Sequence, residues 1–277
     1  MERQPRGAAE QAVEADGRPQ TAAHRLTARR SVVSVGLEAR VEGQPGSLAI
    51  LEDALMQHLA GVDAALESAR GLLQAATMVL LGSEPTASYL VSMAAEEIGK
   101  ALLLRRRERA LLHNAETRLH TQLFRDDPFW IDGAKHLIDV LPWGAFVGRG
   151  KGGLCDHRAK LAALRDYYKD AHPHVVENSG SRIVLASIDM FAGLSAAQVR
   201  TTVENAVYVG WDPAARTWRL PRPCVNSVDA FVAAMQEVVE RIAADLPASR
   251  ERIRVQVRYI GETAAHSGFD VDQICAL

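Results

Sequence analysis

From Ser47 onward, large apolar side chains recur every three or four residues through Leu48, Leu51, Leu55, Leu59, Val62, Leu66, Ala69, Leu72, Leu73 and Leu80. That spacing predicts a long α-helix with one core-facing stripe. Gly82-Ser83-Glu84-Pro85-Thr86 interrupts it, with glycine just past one helix end and proline just inside the next beginning. A second helix follows through Ser88–Leu104 and continues through Arg105-Arg106-Arg107-Glu108-Arg109 to about His113, exposing a basic end. Helices joined so tightly pack antiparallel. On the second helix Leu90, Ala94, Ile98, Ala101 and Leu104 share one arc at about 100° per residue, and Glu97 falls inside it. Glu96 and Lys100, four apart, support the same helix on its flank. Gly99 costs about 1 kcal/mol relative to alanine in mid-helix, which marks a close packing partner.

The pattern weakens between Leu119 and Leu154, where Asp127-Pro128-Phe129-Trp130 opens a shorter helical stretch that closes before Pro142. Gly144, Gly148, Gly150, Gly152 and Gly153, with Arg149 and Lys151 among them, read as a mobile surface loop. The Gly-x-x-x-x-Gly-Lys-Ser/Thr order of a phosphate-binding loop is absent and no strand precedes it. A helix over Asp156–Tyr168 follows, capped by Asp156 or Cys155; His157, Leu161, Leu164 and Tyr168 turn inward, with Lys160 beside His157. A further helix is expected over Ser195–Asn205, after a less regular Ile183–Phe191. Ala206–Pro213 and Thr217–Pro221 read as two extended arms around a turn. Another helix spans Ser227–Leu246; beyond it, Ile253–Tyr259 alternates apolar and charged residues, which suits a strand but also a helix.

Composition adds limits. Residues 1–46 are rich in Ala, Glu, Gln, Arg and Gly and carry few large apolar side chains, so they read as a disordered tail, with Ser31–Leu37 as a short strand within it. No apolar run approaches the roughly 18 residues of a membrane span, and the N-terminus lacks a signal peptide's apolar core, so a soluble, cytoplasmic protein with no membrane partner is expected. A net charge of -2 argues against a general polyanion binder. RNA contact would need a local patch, for which Arg105, Arg106, Arg107 and Arg109 are the candidates. Cys155, Cys224 and Cys275 are odd in number and far apart, which indicates neither disulfides nor zinc. The His-Pro-His at His172 and His174 lacks two further ligands at fixed spacing, so no metal and no cofactor is expected.

Three blocks stand in order: Ala94-Ala95-Glu96-Glu97-Ile98-Gly99-Lys100-Ala101, His157-Arg158-Ala159-Lys160-Leu161, and Val207-Tyr208-Val209 with Trp218 and Pro221. In that order the chain resembles, over roughly residues 48–223, the AbiV family of abortive-infection proteins within the wider HEPN group. The resemblance implies a mainly α fold: a four-helix up-and-down bundle over residues 47–223, to which residues 224–277 add a C-terminal helix and extension, with a short β-hairpin. It implies a role in phage defence. Many relatives in the wider group are metal-independent ribonucleases with an Arg-x(4–6)-His pair near a helix start. Here Arg149 lies too far ahead of His157, and only Lys151 sits six positions before it. Arg107 with His113 and Arg165 with His172 meet the spacing formally, as random pairs do in an arginine-rich chain. After Tyr208-Val209, where the family carries an acidic residue at once, Gly210 and Trp211 precede Asp212.

A ribonuclease without metal needs a base for the 2′-hydroxyl, an acid for the leaving oxygen and a cation for the phosphorane. Histidine suits the proton transfers and lysine or arginine the phosphate. His157 is therefore the candidate base or acid and Lys160 the phosphate cation. Glu97, on the apolar arc, needs a cation or strong donors, and it is expected to meet Lys160 or His157 across the helix interface. Glu97 and Lys100 complete the candidate catalytic set with His157 and Lys160; the four equally suit a satisfied polar network that fixes helix register. Two roles stay open, an RNA-cleaving toxin or a non-catalytic module that binds a phage or host protein, with a housekeeping regulatory bundle as a weaker third; a homodimer is expected.

Overall fold

The computed structural model describes residues 46–128, 130, 132–174, 178–207, 210–212, 214 and 216–276. The expected tail and its Ser31–Leu37 strand lie outside them. So do Tyr208 and Val209 of the third sequence block. Residues 45–277 group into one compact unit, and it is mainly helical.

The first two helices, α1 (Ser47–Val79) and α2 (Glu84–Leu123), form an antiparallel pair. α1 buries the stripe Leu51, Leu55, Leu59, Val62, Leu66, Ala69 and Leu73. The Thr86 amide donates to the side chain of Ser83 and Pro85 occupies the first turn of α2, so the break falls where the sequence places it. α2 runs about ten residues beyond the expected end at His113. It is buried on most of its surface, since α1, α4 (His157–Ala171) and α7 (Val228–Ser267) all pack against it.

Between α2 and α4 the chain makes a 3-10 turn at Gly133–His136 and a short helix α3 (Trp143–Val147), which lies inside the stretch read as a glycine loop. Two further helices follow α4. The first, α5 (Ser179–Gly193), is capped by Asn178, whose side chain accepts from the Gly180 and Ser181 amides, and it takes in the Ile183–Phe191 stretch expected to be irregular. The second, α6 (Ala196–Val207), reaches two residues past the expected end and absorbs the start of the first extended arm. Two three-residue strands, β1 (Gly210–Asp212) and β2 (Thr217–Arg219), pair antiparallel, with Trp211 opposite Trp218. The chain then returns to α2, where Ser88 Oγ accepts the Cys224 amide (2.6 Å) and the Val225 amide (3.0 Å).

The largest departure from the sequence reading is α7. It passes through Pro247 without a break and continues over Ile253–Tyr259. Ile253, Val257, Ile260 and Ala264 are buried at helical spacing, while Val255 and Tyr259 are exposed, so the alternation there is incidental to the real period. An interior proline costs a helix about 3 kcal/mol; burial of Leu246, Ile253 and Val257 against α1 and α2 offsets it. α7 ends at Gly268, whose φ of 69° is the left-handed conformation glycine adopts freely. α8 (Val271–Ile274) closes the chain beside α1, α2 and α7. Among the described residues, no helix is long and apolar enough to cross a membrane.

Candidate functional site

The α2–α4 interface gathers the candidate chemistry, and it does so around a stripe of small residues. Ser88, Ser92, Ala95 and Gly99 of α2 are all buried at helical spacing. At Gly99 the approach is closest: a Cβ there would lie 2.3 Å from the Lys160 carbonyl oxygen. Only glycine admits the α4 backbone at that point. α4 begins beside this contact because Asp156 caps it, accepting the Arg158 and Ala159 amides and, from the preceding loop, that of Gly152 (2.8 Å). Burial pushes the Asp156 carboxyl up, but those three backbone donors prevail and hold it below its usual range.

Glu96, rather than Glu97, sits at the centre. Its Oε1 is 2.8 Å from His157 Nδ1, and its Oε2 accepts from Lys160 Nζ. Burial alone would raise the Glu96 carboxyl, yet the hydrogen bonds and charges of His157 and Lys160 outweigh it and bring the pKa down to about 2. Glu96 is therefore ionised, and His157 Nδ1 is the donor. Nε2 of the same ring is buried and, among the described residues, has no hydrogen-bond partner. The cavity beside it, walled by Ser92, Leu161, Ile188, Phe191 and Phe231, measures about 10 Å³. That is about the size of one water molecule.

Glu97 instead pairs within its own helix, receiving Lys100 Nζ on both oxygens at 2.6 Å. The sequence reading is thus corrected on both counts: the carboxylate that crosses to α4 is Glu96, and the partner of Lys100 is Glu97. The reason is that α2 is buried on several faces. A single apolar arc fixes only one of them, and residues one apart differ by about 100°. Of the four proposed catalytic residues, His157 and Lys160 share Glu96, while Glu97 and Lys100 neutralise each other.

The arginine run is split by the same rotation: Arg107 turns away, while Arg105, Arg106 and Arg109 stay on one side of α2 with only Arg106 and Arg109 exposed. Arg105 is 5% exposed. Its Nη1 is buried with no hydrogen-bond partner among the described residues, and burial presses its pKa down from the usual range. Arg106 is exposed and pairs with Asp166 at 3.1 Å. Arg107 turns toward α3, donating to the Leu141 carbonyl and lying 4.9 Å over the Phe146 ring and 5.6 Å from that of Trp143. Arg109 is exposed. Arg105, Arg106 and Arg109 line a second cavity of about 120 Å³ between α2, α4 and α7, joined there by Tyr167, Asp170 and Asp245.

The formal Arg-His pairs do not form sites. His113 Nε2 lies 3.0 Å from the His136 carbonyl oxygen while Arg107 is engaged with α3. Arg165 binds Asp166, and His172 packs tilted against Tyr168 with ring centroids 4.5 Å apart. Two buried features escape a sequence reading. His58 donates Nδ1–H to the Ala54 carbonyl (2.5 Å), its ring meets Trp143, and burial lowers its pKa. Ser88, which anchors Cys224 and Val225, carries no pattern that marks it. Glu96 does have a signal: it adjoins the small-residue stripe, which announces a close approach of another helix.

Compared with protein families, with curated proteins and with solved structures, the chain finds no match in any of the three.

Proposed function

We propose that the chain is an abortive-infection effector of the AbiV-like kind, a HEPN-like four-helix up-and-down bundle that halts growth by binding a phage or host protein. Two of the three sequence blocks behind that resemblance meet in space. Glu96 and Gly99 of the first lie directly on His157 and Lys160 of the second. Their joint presence in the sequence thus has a packing reason.

The observation that carries the binding reading is the closure of this contact. Cleaving RNA without metal requires the 2′-hydroxyl, the phosphorane and the leaving oxygen to reach base, cation and acid together. A space of about 10 Å³ admits none of them. Lys160, the candidate phosphate cation, is already bound to Glu96. A buried ion pair of this sort fixes which faces of two helices meet. A ribonuclease is the second reading, and one observation favours it: with Nδ1 held by a carboxylate and Nε2 unpartnered, His157 has the arrangement of an oriented general base. That reading requires α4 to part from α2.

The test is phage plaque formation and growth of host cells carrying the chain or its His157→Gln variant. The binding reading expects fewer plaques with both, provided that circular dichroism shows the variant folded. Lost protection by a folded variant moves the assignment to catalysis. No protection by the unmodified chain removes the defence role.

A further inference from the structure

The cavity between α2, α4 and α7 holds a feature that the α2–α4 contact does not use. It shares no lining residue with the cavity beside His157. Arg105 is about nineteen-twentieths buried, and among the described residues no carboxylate forms an ion pair with it and no acceptor takes its Nη1. The carboxylates of buried Glu108 and of Asp245 act on Arg105 through charge alone, and a buried N–H without an acceptor is still costly. Exposed Arg109 and the phenol of Tyr167 line the same cavity, so three donor groups on two helices converge on one space. Arg106 contributes charge from the rim while bound to Asp166.

We propose that this cavity is a binding site for a phosphate group, held by Arg105, Arg109 and Tyr167. Arg106 is matched by Asp166, and Asp170 and Asp245 share the lining, so the unfilled donors of Arg105, Arg109 and Tyr167 rather than a net charge call for an anion. The forked donors of arginine match tetrahedral phosphate oxygens. About 120 Å³ is roughly ten times the space that one water takes by the same measure, about 10–15 Å³, enough for a phosphate group but not for a nucleoside along with it. The group enters and any ester substituent stays outside. The site is independent of whether RNA is cut at His157.

Isothermal titration of the full chain with inorganic phosphate, with AMP and with adenosine, at ionic strength matched with sodium chloride, tests this. Phosphate and AMP are expected to bind saturably at one site and adenosine not to bind. Equal affinity for the first two identifies free phosphate as the ligand; tighter AMP identifies a nucleotide. Arg105→Gln and Arg109→Gln should each weaken binding about tenfold or more, the loss of one charge-assisted hydrogen bond. Should Arg105→Gln fail to fold, exposed Arg109→Gln decides alone. Absence of saturable phosphate binding, or affinity unchanged in a folded Arg109→Gln protein, overturns the proposal.

Discussion

Replacing Glu96 with glutamine removes the charge shared by His157 and Lys160 while keeping nearly the same volume. A carboxyl held at about 2 in place of 4.5 corresponds, at about 1.36 kcal/mol per pH unit, to about 3 kcal/mol of stability near neutral pH. A pair broken in a buried setting, with Lys160 only 8% exposed, falls in the same range. For a domain of about this size that lowers Tm by about 6–12 °C. The sign of the pH dependence follows. Because the folded pKa is depressed, the stabilisation is complete above the unfolded value near 4.5 and is lost as pH falls toward about 2. Urea unfolding of both proteins between pH 7 and pH 3 should therefore show curves about 3 kcal/mol apart near neutrality that narrow to about half that gap at pH 3. Glu97→Gln is the control. Its partner Lys100 lies one turn away on the same helix, and such a pair is worth about 0.5 kcal/mol or less. Equal losses for the two variants, or a gap for Glu96→Gln that does not narrow between pH 7 and pH 3, refute the assignment of the interfacial charge.

Further outcomes follow from the same packing. Gly99→Ala gains helix propensity yet should destabilise the protein by about 1–3 kcal/mol, measured by urea unfolding, because its Cβ meets the Lys160 carbonyl oxygen at 2.3 Å. A stabilised variant would mean that the helices are not in that contact. Ser88→Ala should cost about 1–3 kcal/mol by leaving the Cys224 and Val225 amides without their acceptor; thermal melts that coincide with the unmodified protein would contradict it. Arg107→Ala should alter Trp143 fluorescence as its guanidinium leaves the α3 rings, with a loss of about 1 kcal/mol; an unchanged spectrum would place Arg107 elsewhere.

The first two helices were legible because an unbroken three-and-four period ends at a glycine, a serine cap and a proline, signals that act locally. His157 and Lys160 were legible as an inward pair for the same reason: α4 is short, amphipathic and capped by Asp156. Which glutamate they meet was not. α2 is buried against three helices, and its sequence carries more than one apolar face, so the arc through Ile98 pointed to Glu97 when the small-residue face beside Glu96 meets α4. α7 was misread past Leu246 because proline weighs heavily in local reasoning, while the burial of Ile253 and Val257 that overrides it is tertiary. The arginine run looked like one surface because adjacency in sequence was taken for adjacency on a helix. Arg105, Arg106 and Arg107 face a cavity, an aspartate and an aromatic pair in turn.

The central claim is that the Glu96–His157–Lys160 contact is a closed joint and that the chain acts through its surface. The most direct measurement is sequencing of cellular RNA 3′ ends during growth arrest, in cells expressing the unmodified chain and a folded His157→Gln variant. The account predicts growth arrest with the same RNA ends in both. New RNA ends that appear with the unmodified chain and vanish with His157→Gln would contradict it.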